Sequence, residues 1–511
     1  MTADRPFFIT TPIYYVNDLP HLGHAYTTVA CDVLARFMRL DGRRVRFLTG
    51  TDEHGQKVEQ SARAAGISPQ ELTDRNSAGF REMTRLLDIS NDDFIRTTEP
   101  RHARAVQAIW QKLERRGEIY LGPFAGWYSV RDEAFYDESE LVEGKAPTGA
   151  EVEWLEEENY FFRLSAWQER LLTYYDANPD AIAPRSRRNE VISFVKSGLR
   201  DLSISRTSFS WGIPVPGNPR HVIYVWLDAL TNYITAVGYP DIQNNEFSSL
   251  WPTVLHVVGK DILRFHTVYW PAFLMAAGLE PPRRVFAHGW WTVEGQKMSK
   301  SLGNFIPPKQ LVDTYGLDPV RYFLLRELPF GSDGDFSHRA VVSRLNGDLA
   351  NDFGNLAQRV LVMINRNCEA CVPEPGALGA VDTALLDAAR RLLDAVRAHV
   401  SEQGFHLALE AIWRVVGEAN RYVDEQAPWA LSRTDPARMR TVLYTLAETI
   451  RLLALLVQPF VPGAAGKLLD QLAVPEATRR FEALAGVLLV PGTRLPKPEG
   501  VFPRFVEEPA G

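Results

Sequence analysis

Residues 7–50 read FFITTPIYYVNDLPHLGHAYTTVACDVLARFMRLDGRRVRFLTG, and this stretch decides the fold. Phe7 to Thr11 is a short β-prone run. Pro12 and Pro20 punctuate a loop, and apolar residues recur at helical spacing from about His24 to Leu40. Asp41 and Gly42 break that helix, and Val45 to Leu48 is strand-like again before Thr49 and Gly50. Strand, loop, helix and strand make a βαβ unit. Such a unit predicts an open parallel sheet whose ligands sit at the carboxyl ends of the strands. Two loops fall at such ends, Pro12 to Gly23 and Gly50 to Gly55.

Further along, from about 99 to 220, the texture changes to aromatic clusters, acidic runs and short alternating segments. That reads as an insertion between two halves of the sheet domain. Strand character returns at His221 to Trp226 and at Val254 to Val258. Beyond about 350 the pattern is helical to near 487, and Ala408, Ile412, Val416, Ala419 and Val423 keep one helix face, the core stripe of a bundle. The Pro-rich tail from Pro491 is expected to pack back as irregular chain.

A chain of 511 residues exceeds what one core supports, so two to four domains are expected. A net charge of −7 carries no signal of nucleic acid, and none against it, because RNA binding depends on local basic surface. Three cysteines, Cys31, Cys368 and Cys371, are too few for a disulfide framework and fit a reducing compartment. The first residues lack a signal or transit pattern, and the most apolar tract, Leu452 to Val461, is too short for a bilayer and contains Gln458 and Pro459. A cytoplasmic protein is expected, with no membrane partner.

Two segments carry chemistry. His21-Leu22-Gly23-His24 opens the helix after the first strand. A helix start offers free N–H groups and a positive dipole end to phosphate. Gly23 lets a purine approach the backbone, and two imidazoles can donate to phosphoryl oxygens. An ordinary helix cap explains the four residues equally well on their own. The second segment is Lys297-Met298-Ser299-Lys300-Ser301, followed by Leu302-Gly303-Asn304. Two lysines on a short loop neutralise a triphosphate most strongly as charge builds during transfer.

Together, in this order and on these elements, the pair resembles the ATP site of the class I aminoacyl-tRNA synthetases. Gly50-Thr51-Asp52-Glu53-His54-Gly55, Val225-Trp226-Leu227-Asp228-Ala229 and Gly259-Lys260-Asp261-Ile262, with Arg264-Phe265-His266 and Trp270, resemble the methionyl enzymes in particular. The similarity spans essentially the whole chain. It implies a Rossmann-like sheet split by a connective insertion and followed by a helical anticodon-binding domain. The implied limits are 1–98 and 222–290 for the two halves, 99–221 for the insertion, 291–351 for the second-motif and stem-contact region, 352–487 for the helical domain and 488–511 for the tail.

Residue by residue, the resemblance implies ATP contacts from His21, Gly23, His24, Gly259, Asp261, Lys297, Ser299 and Lys300. Of these, His21, His24, Lys297 and Lys300 act on the phosphates, with Mg²⁺ on the leaving pyrophosphate, and Arg206 stands near the reacting groups. The implied methionine pocket is Ile13, Tyr15, Trp226, Ala229, Tyr233, Ile262, His266 and Trp270, with Asp52 for the α-ammonium. Aromatic rings make favourable contacts with sulfur, and a thioether tip needs little hydrogen bonding. A lone Trp or Tyr is more often core; only the joint placement raises these. Leu230 departs from the proline that many members carry after Trp-Leu-Asp-Ala.

In the helical region Asn355 and Arg359 stand four residues apart on one helix face, and Pro428-Trp429 offers a stacking platform. By resemblance these contact the anticodon of methionine tRNAs, initiator and elongator; a lone Trp429 would otherwise read as a buried indole. Many members carry zinc knuckles in the insertion. Here no cysteine lies between Cys31 and Cys368, and Cys368 and Cys371 lack a second pair, so no structural zinc is expected. No C-terminal tRNA-binding barrel is present, which favours a monomer. The alternatives are another class I synthetase, for leucine, isoleucine or valine, which would carry a long editing insertion, a small-molecule nucleotidyltransferase, which has no use for Asn355, Arg359 and Trp429, and a non-enzymatic RNA binder, which has no use for the phosphate motifs.

Overall fold

The computed structural model describes residues 5–17, 19–132, 134–136, 138–293, 295–297 and 304–507. They fall into two compact units, one of Pro6–Cys31 with Val45–His288, the other of Met1–Arg5, Asp32–Arg44 and Gly289–Gly511. The helix Leu22–Leu40 (α1) is divided between them.

The first unit is built on a six-stranded sheet. Its strands are Pro6–Tyr15 (β1), Arg44–Asp52 (β2), Asp93–Arg96 (β3), Ile182–Ala183 (β4), Leu255–Gly259 (β5) and Arg284–His288 (β6), in the order β3-β2-β1-β5-β6-β4. β1 pairs with β5, β5 with β6, β6 with β4 and β2 with β3, all in parallel. The chain winds outward from β1 to β3 and later returns on the other side of β1. The direction therefore switches between β1 and β5, and ligands of such sheets bind outside the carboxyl ends at that point. Those ends are Thr11–Tyr15 and Gly259.

β1 is longer than the sequence suggests, because it runs through Pro12 to Tyr15 instead of ending at Thr11. Its pairing with β5 is at Ile9–Leu255 and Thr10–His256, so Pro12 lies beyond these bonds and its missing N–H costs them nothing.

The range 99–221, expected as an insertion, holds pieces of more than one kind. β4 is an edge strand of the main sheet although it lies inside that range. Helix Pro100–Arg115 buries Ala105, Val106, Ile109, Trp110 and Leu113 in the core shared with Phe8, Leu48 and Leu227. A two-residue strand is too short to show alternation, which is why β4 left no mark on the sequence. What stands apart is an antiparallel sheet of Ile119–Ser129, Ala134–Tyr136, Glu153–Phe162 and Leu202–Ser203. Asp132 anchors its outer turn, taking a hydrogen bond from the Tyr136 hydroxyl at 3.0 Å and contacting Thr148, while Arg131 donates to the Thr148 carbonyl at 2.7 Å.

Helix Val225–Thr235 (α2) belongs to the same unit. The second unit is largely helical, with Asn355–Asn367 (α3), Ala380–Ser401 (α4), Phe405–Gln426 (α5), Pro428–Thr434 (α6) and Pro436–Val457 (α7). The stripe Ala408, Ile412, Val416, Ala419 and Val423 is buried on α5. α7 is buried from Thr441 to Val457, as expected of a central helix. It carries a buried Glu448–Arg451 pair that fastens the following chain: Arg451 donates to the Val487 carbonyl at 2.6 Å, and Glu448 accepts from the Leu489 N–H at 3.1 Å. The tail returns to the body, with Asn346 exchanging two hydrogen bonds with the Phe505 backbone and Phe502 buried. Among the described residues no helix is long and apolar enough to cross a membrane.

Candidate active site

At the start of α1 the two histidines lock one another. The Gly23 N–H donates to His21 Nδ1 at 3.0 Å, and the His21 N–H donates to His24 Nδ1 at 3.1 Å. The rings stack with centroids 3.8 Å apart. A neutral imidazole that accepts at Nδ1 carries its proton on Nε2. Both rings therefore present Nε2–H as a donor. Burial, reinforced by the neighbouring His21, holds His24 well below the usual histidine range, so it stays neutral. Its ring is edged by Tyr14 at 4.8 Å and Phe80 at 5.2 Å. The helix cap and the donor pair are one structure, because capping by Nδ1 is what fixes the proton on Nε2. Gly23 is required for it: a Cβ there would stand 2.9 Å from His21 Cε1.

Gly259 ends β5, across the switch point. A Cβ on it would meet Asp261 Oδ1 at 2.4 Å and His288 Cε1 at 3.8 Å, so the Asp261 carboxylate folds back over the strand end only because residue 259 is glycine. In the second unit, Lys297 closes a short hairpin in which its backbone pairs with Thr292. Ser299 and Lys300, with the rest of 298–303, lie outside the described residues.

α2 carries Trp226, Ala229 and Tyr233 at helical spacing. Trp226 stacks on Phe265 with centroids 3.6 Å apart and planes within 5°, and His266 meets the Trp226 ring edge-on at 6.3 Å. Phe265 and His266 sit in a π-helical turn, Phe265–Tyr269, that leads directly to Trp270. Such turns are frequent at functional sites. His266 Nδ1 lies 2.9 Å from the Ile262 carbonyl and Nε2 lies 2.7 Å from the Tyr233 hydroxyl. Burial brings the His266 pKa down to about 4, so the ring is neutral at pH 7. A carbonyl can only accept, so Nδ1–H donates to Ile262, Nε2 accepts, and the Tyr233 hydroxyl is the donor. Tyr233 stands tilted 6.2 Å from Trp270. Tyr233, His266 and Trp270 are each exposed by 1% or less, so they are core residues as well as candidate lining.

Ile13 and Ile262 are half-buried against the same core. The Tyr15 hydroxyl donates to the His54 carbonyl at 3.0 Å, and Asp52 is buried at the end of β2, its carbonyl accepting from the Val16 N–H at 3.2 Å. Arg206 is buried, donating to Ser203 Oγ at 3.0 Å and the Ser205 carbonyl at 2.6 Å, with its guanidinium over the Tyr224 ring at 4.4 Å. Tyr224 is the residue before α2.

In the second unit Trp429 is 48% exposed and is not the buried indole that its residue type favours. Ala427, in left-handed conformation at φ 43°, turns the chain between α5 and α6, and Pro428 is buried at the first turn of α6. Arg359 lies over the Trp429 ring at 5.5 Å and pairs with Asp424 at 3.1 Å. Asn355 is exposed one turn earlier on α3. Arg359 and Trp429 thus meet, with the ring half-exposed. Cys368 and Cys371 are free thiols, and burial raises the pKa of Cys368. Among the described residues no group of three or more His, Cys, Asp or Glu could hold a metal ion.

Sequence reading gave no role to His54, His102 or Asp228, which are buried together in the first unit. Two of them stand inside quoted motifs, and His102 left no signal at all.

A family model described as class I tRNA synthetases (M) matches residues 7–153 and 139–361 of the chain. A second, described as the anticodon binding domain of methionyl tRNA ligase, matches 372–510. The chain is 59% identical over 509 residues to a methionine–tRNA ligase of Mesorhizobium japonicum, covering 98% of each. It is 56% identical over 512 residues to one of Mycobacterium leprae, covering 98% of this chain and 95% of that one. Among solved structures, a Mycobacterium tuberculosis methionyl-tRNA synthetase in complex with methionyl-adenylate superposes with a TM-score of 0.96 at 55% identity, covering 98% of this chain and 100% of that one.

Proposed function

The chain belongs to the class I methionyl-tRNA ligases, and from that premise we propose how its own residues carry the reaction. Methionine is activated with ATP and joined to its tRNA. In the first step the methionine carboxylate attacks the α-phosphorus of ATP in line, methionyl-adenylate forms and pyrophosphate leaves. In the second a hydroxyl of the tRNA 3′-terminal adenosine attacks the adenylate carbonyl, and AMP leaves. No protein nucleophile is needed, so catalysis is positioning and charge stabilisation.

His21 and His24 donate Nε2–H to phosphoryl oxygens, and Lys297 and Lys300 neutralise the charge that develops on them. Mg²⁺ arrives with the nucleotide, on its phosphates. Ser299, Gly23, Gly259 and Asp261 hold the rest of the nucleotide, and Arg206 stands by the reacting groups. Asp52 takes the α-ammonium. The thioether lies among Ile13, Tyr15, Trp226, Ala229, Tyr233, Ile262, His266 and Trp270. The observation that carries this reading is the neutral His266–Tyr233 pair among Trp226 and Trp270, an aromatic cluster with a hydroxyl whose proton is already committed. Such surroundings suit a polarisable sulfur.

Asn355, Arg359, Pro428 and Trp429 bind the anticodon loop of initiator and elongator methionine tRNAs. Support comes from the exposed indole with an arginine over it, since unpaired bases stack on such surfaces. The enzyme acts as a monomer in the cytoplasm; sedimentation at assay concentrations tests the first point. The reaction is tested by incubating the purified chain with ATP, Mg²⁺, methionine and methionine tRNA and following methionyl-tRNA on acid gels. Failure to charge that tRNA overturns the proposal.

A further inference from the structure

The candidate methionine pocket draws on separate pieces of chain, among them the end of β1 (Ile13, Tyr15), the end of β2 (Asp52) and α2 (Trp226, Ala229, Tyr233). Their polar tie lies on the far side of α2. Asp228 is fully buried, and both of its oxygens are engaged, Oδ2 with His54 Nδ1 and Oδ1 with His102 Nε2, each at 2.7 Å. His102 belongs to helix Pro100–Arg115, is fully buried, and also meets the Thr235 hydroxyl at 3.3 Å. His54 follows Asp52 by two residues, and its carbonyl accepts the Tyr15 hydroxyl. Trp211 packs edge-on against the His54 ring at 5.7 Å, and its indole N–H donates to the Glu53 carbonyl at 2.6 Å.

A carboxylate with no solvent is tolerated only when donors satisfy it. Here the two histidine partners hold the Asp228 pKa below its ordinary value against the opposing effect of burial. Since Trp226 and Ala229 sit on the same two turns of α2 as Asp228, fixing Asp228 fixes them. Since His54 also holds Tyr15 and follows Asp52, the same link sets the ammonium site against the thioether site. Binding one small substrate at two ends is sensitive to misplacement on the order of 0.5–1 Å.

We propose that His54–Asp228–His102 is a positioning clamp that sets the Asp52 end of the methionine site at a fixed distance from its aromatic end. The proposal rests on the methionine site described above. Neither histidine touches substrate; each acts through Asp228.

The two histidines use different ring nitrogens, which gives a crossed test. An asparagine amide nitrogen replaces Nδ1, and a glutamine amide nitrogen replaces Nε2. His54→Asn and His102→Gln keep the donor in place; His54→Gln and His102→Asn misplace it. Methionine-dependent ATP–pyrophosphate exchange is measured on all four with methionine or ATP varied, alongside thermal unfolding. The clamp predicts that the two misplaced variants raise the methionine KM by at least tenfold and leave the ATP KM within twofold. The two matched variants remain within threefold of the wild type for both. A merely structural role gives parallel changes in both KM values, or no difference between matched and misplaced variants, and either result overturns the proposal. If both misplaced variants fail to fold, the trio is a fold determinant and the proposal also falls. A wild type that exchanges pyrophosphate with an amino acid other than methionine would overturn the functional reading, a failure separate from that of the clamp.

Discussion

Removing the Trp429 indole tests whether the two ends of the chain serve one reaction. The side chain is 48% exposed, so only about 100 Å² of an indole of roughly 200 Å² is covered, worth about 2–3 kcal/mol of folding at ~25 cal/mol/Å². The Arg359 guanidinium, 5.5 Å from the ring, adds at most about 1 kcal/mol at an exposed site. That loss is smaller than the ~5–15 kcal/mol that holds a typical domain, so Trp429→Ala remains folded at 25 °C with a modestly lower melting temperature. If the indole stacks an anticodon base, its removal costs about 1–3 kcal/mol of tRNA binding in the transition state, a fall of roughly 5- to 150-fold in kcat/KM for tRNA. Pyrophosphate exchange without tRNA stays within twofold, because its candidate residues lie elsewhere in the chain. Trp429→Phe keeps a stacking face and recovers most of the charging. The assay is exchange, aminoacylation and thermal unfolding on both variants. Equal loss of exchange and charging, or charging left intact in Trp429→Ala, refutes the reasoning.

Three further outcomes are expected. Lys300→Ala slows single-turnover adenylate formation by about 2–4 kcal/mol, roughly 30- to 1000-fold, and changes the methionine Kd less than twofold; an unchanged rate removes the lysine from the reaction. Gly259→Ala puts a Cβ 2.4 Å from Asp261 Oδ1, and displacing that carboxylate raises the ATP KM by about fivefold or more while the methionine Kd holds; an ATP KM equal to that of the wild type would rule out the assigned contact. Burial takes His266 down to about 4 in the folded protein, against about 6.5 in the unfolded chain, so the unfolded state binds the proton more tightly. Its contribution is complete above pH 6.5 and is lost as pH falls towards 4, about 3 kcal/mol over that window. Urea midpoints of the wild type should therefore drop more between pH 6.5 and 5 than those of His266→Gln, and parallel curves would show that His266 is not the buried neutral group described.

The βαβ opening was legible because its signals are local: a β-prone run, a helical period and an Asp-Gly break. Its limits were not, since β1 runs on through Pro12 to Tyr15, beyond the residues that pair with β5, and no local signal marks that extension. β4 and helix Pro100–Arg115 belong to the main sheet through contacts with distant chain, and a two-residue strand carries no period of its own. The candidate site residues stood out only as a set. Taken singly, Trp270, Tyr233 and His266 are core residues, and they are indeed buried. Trp429 shows the opposite case: its residue type favours the interior, and only the turn at Ala427 and the half-exposed ring give it away. His54 and Asp228 stood in plain sight within quoted segments, yet they lie 174 residues apart and His102 lies 126 residues before Asp228, separations that no local pattern records.

Everything proposed for the first unit turns on its selecting methionine for activation. It is tested most directly by ATP–pyrophosphate exchange on the purified chain, with labelled pyrophosphate, Mg²⁺ and each of the twenty amino acids in turn. Strong exchange is expected with methionine. Leucine, isoleucine and valine should fall lower by about 10- to 200-fold or more, since each misfits the aromatic pocket by at least a methylene-sized defect. Exchange with any other amino acid at a higher kcat/KM than methionine, or exchange that needs no amino acid, would contradict it.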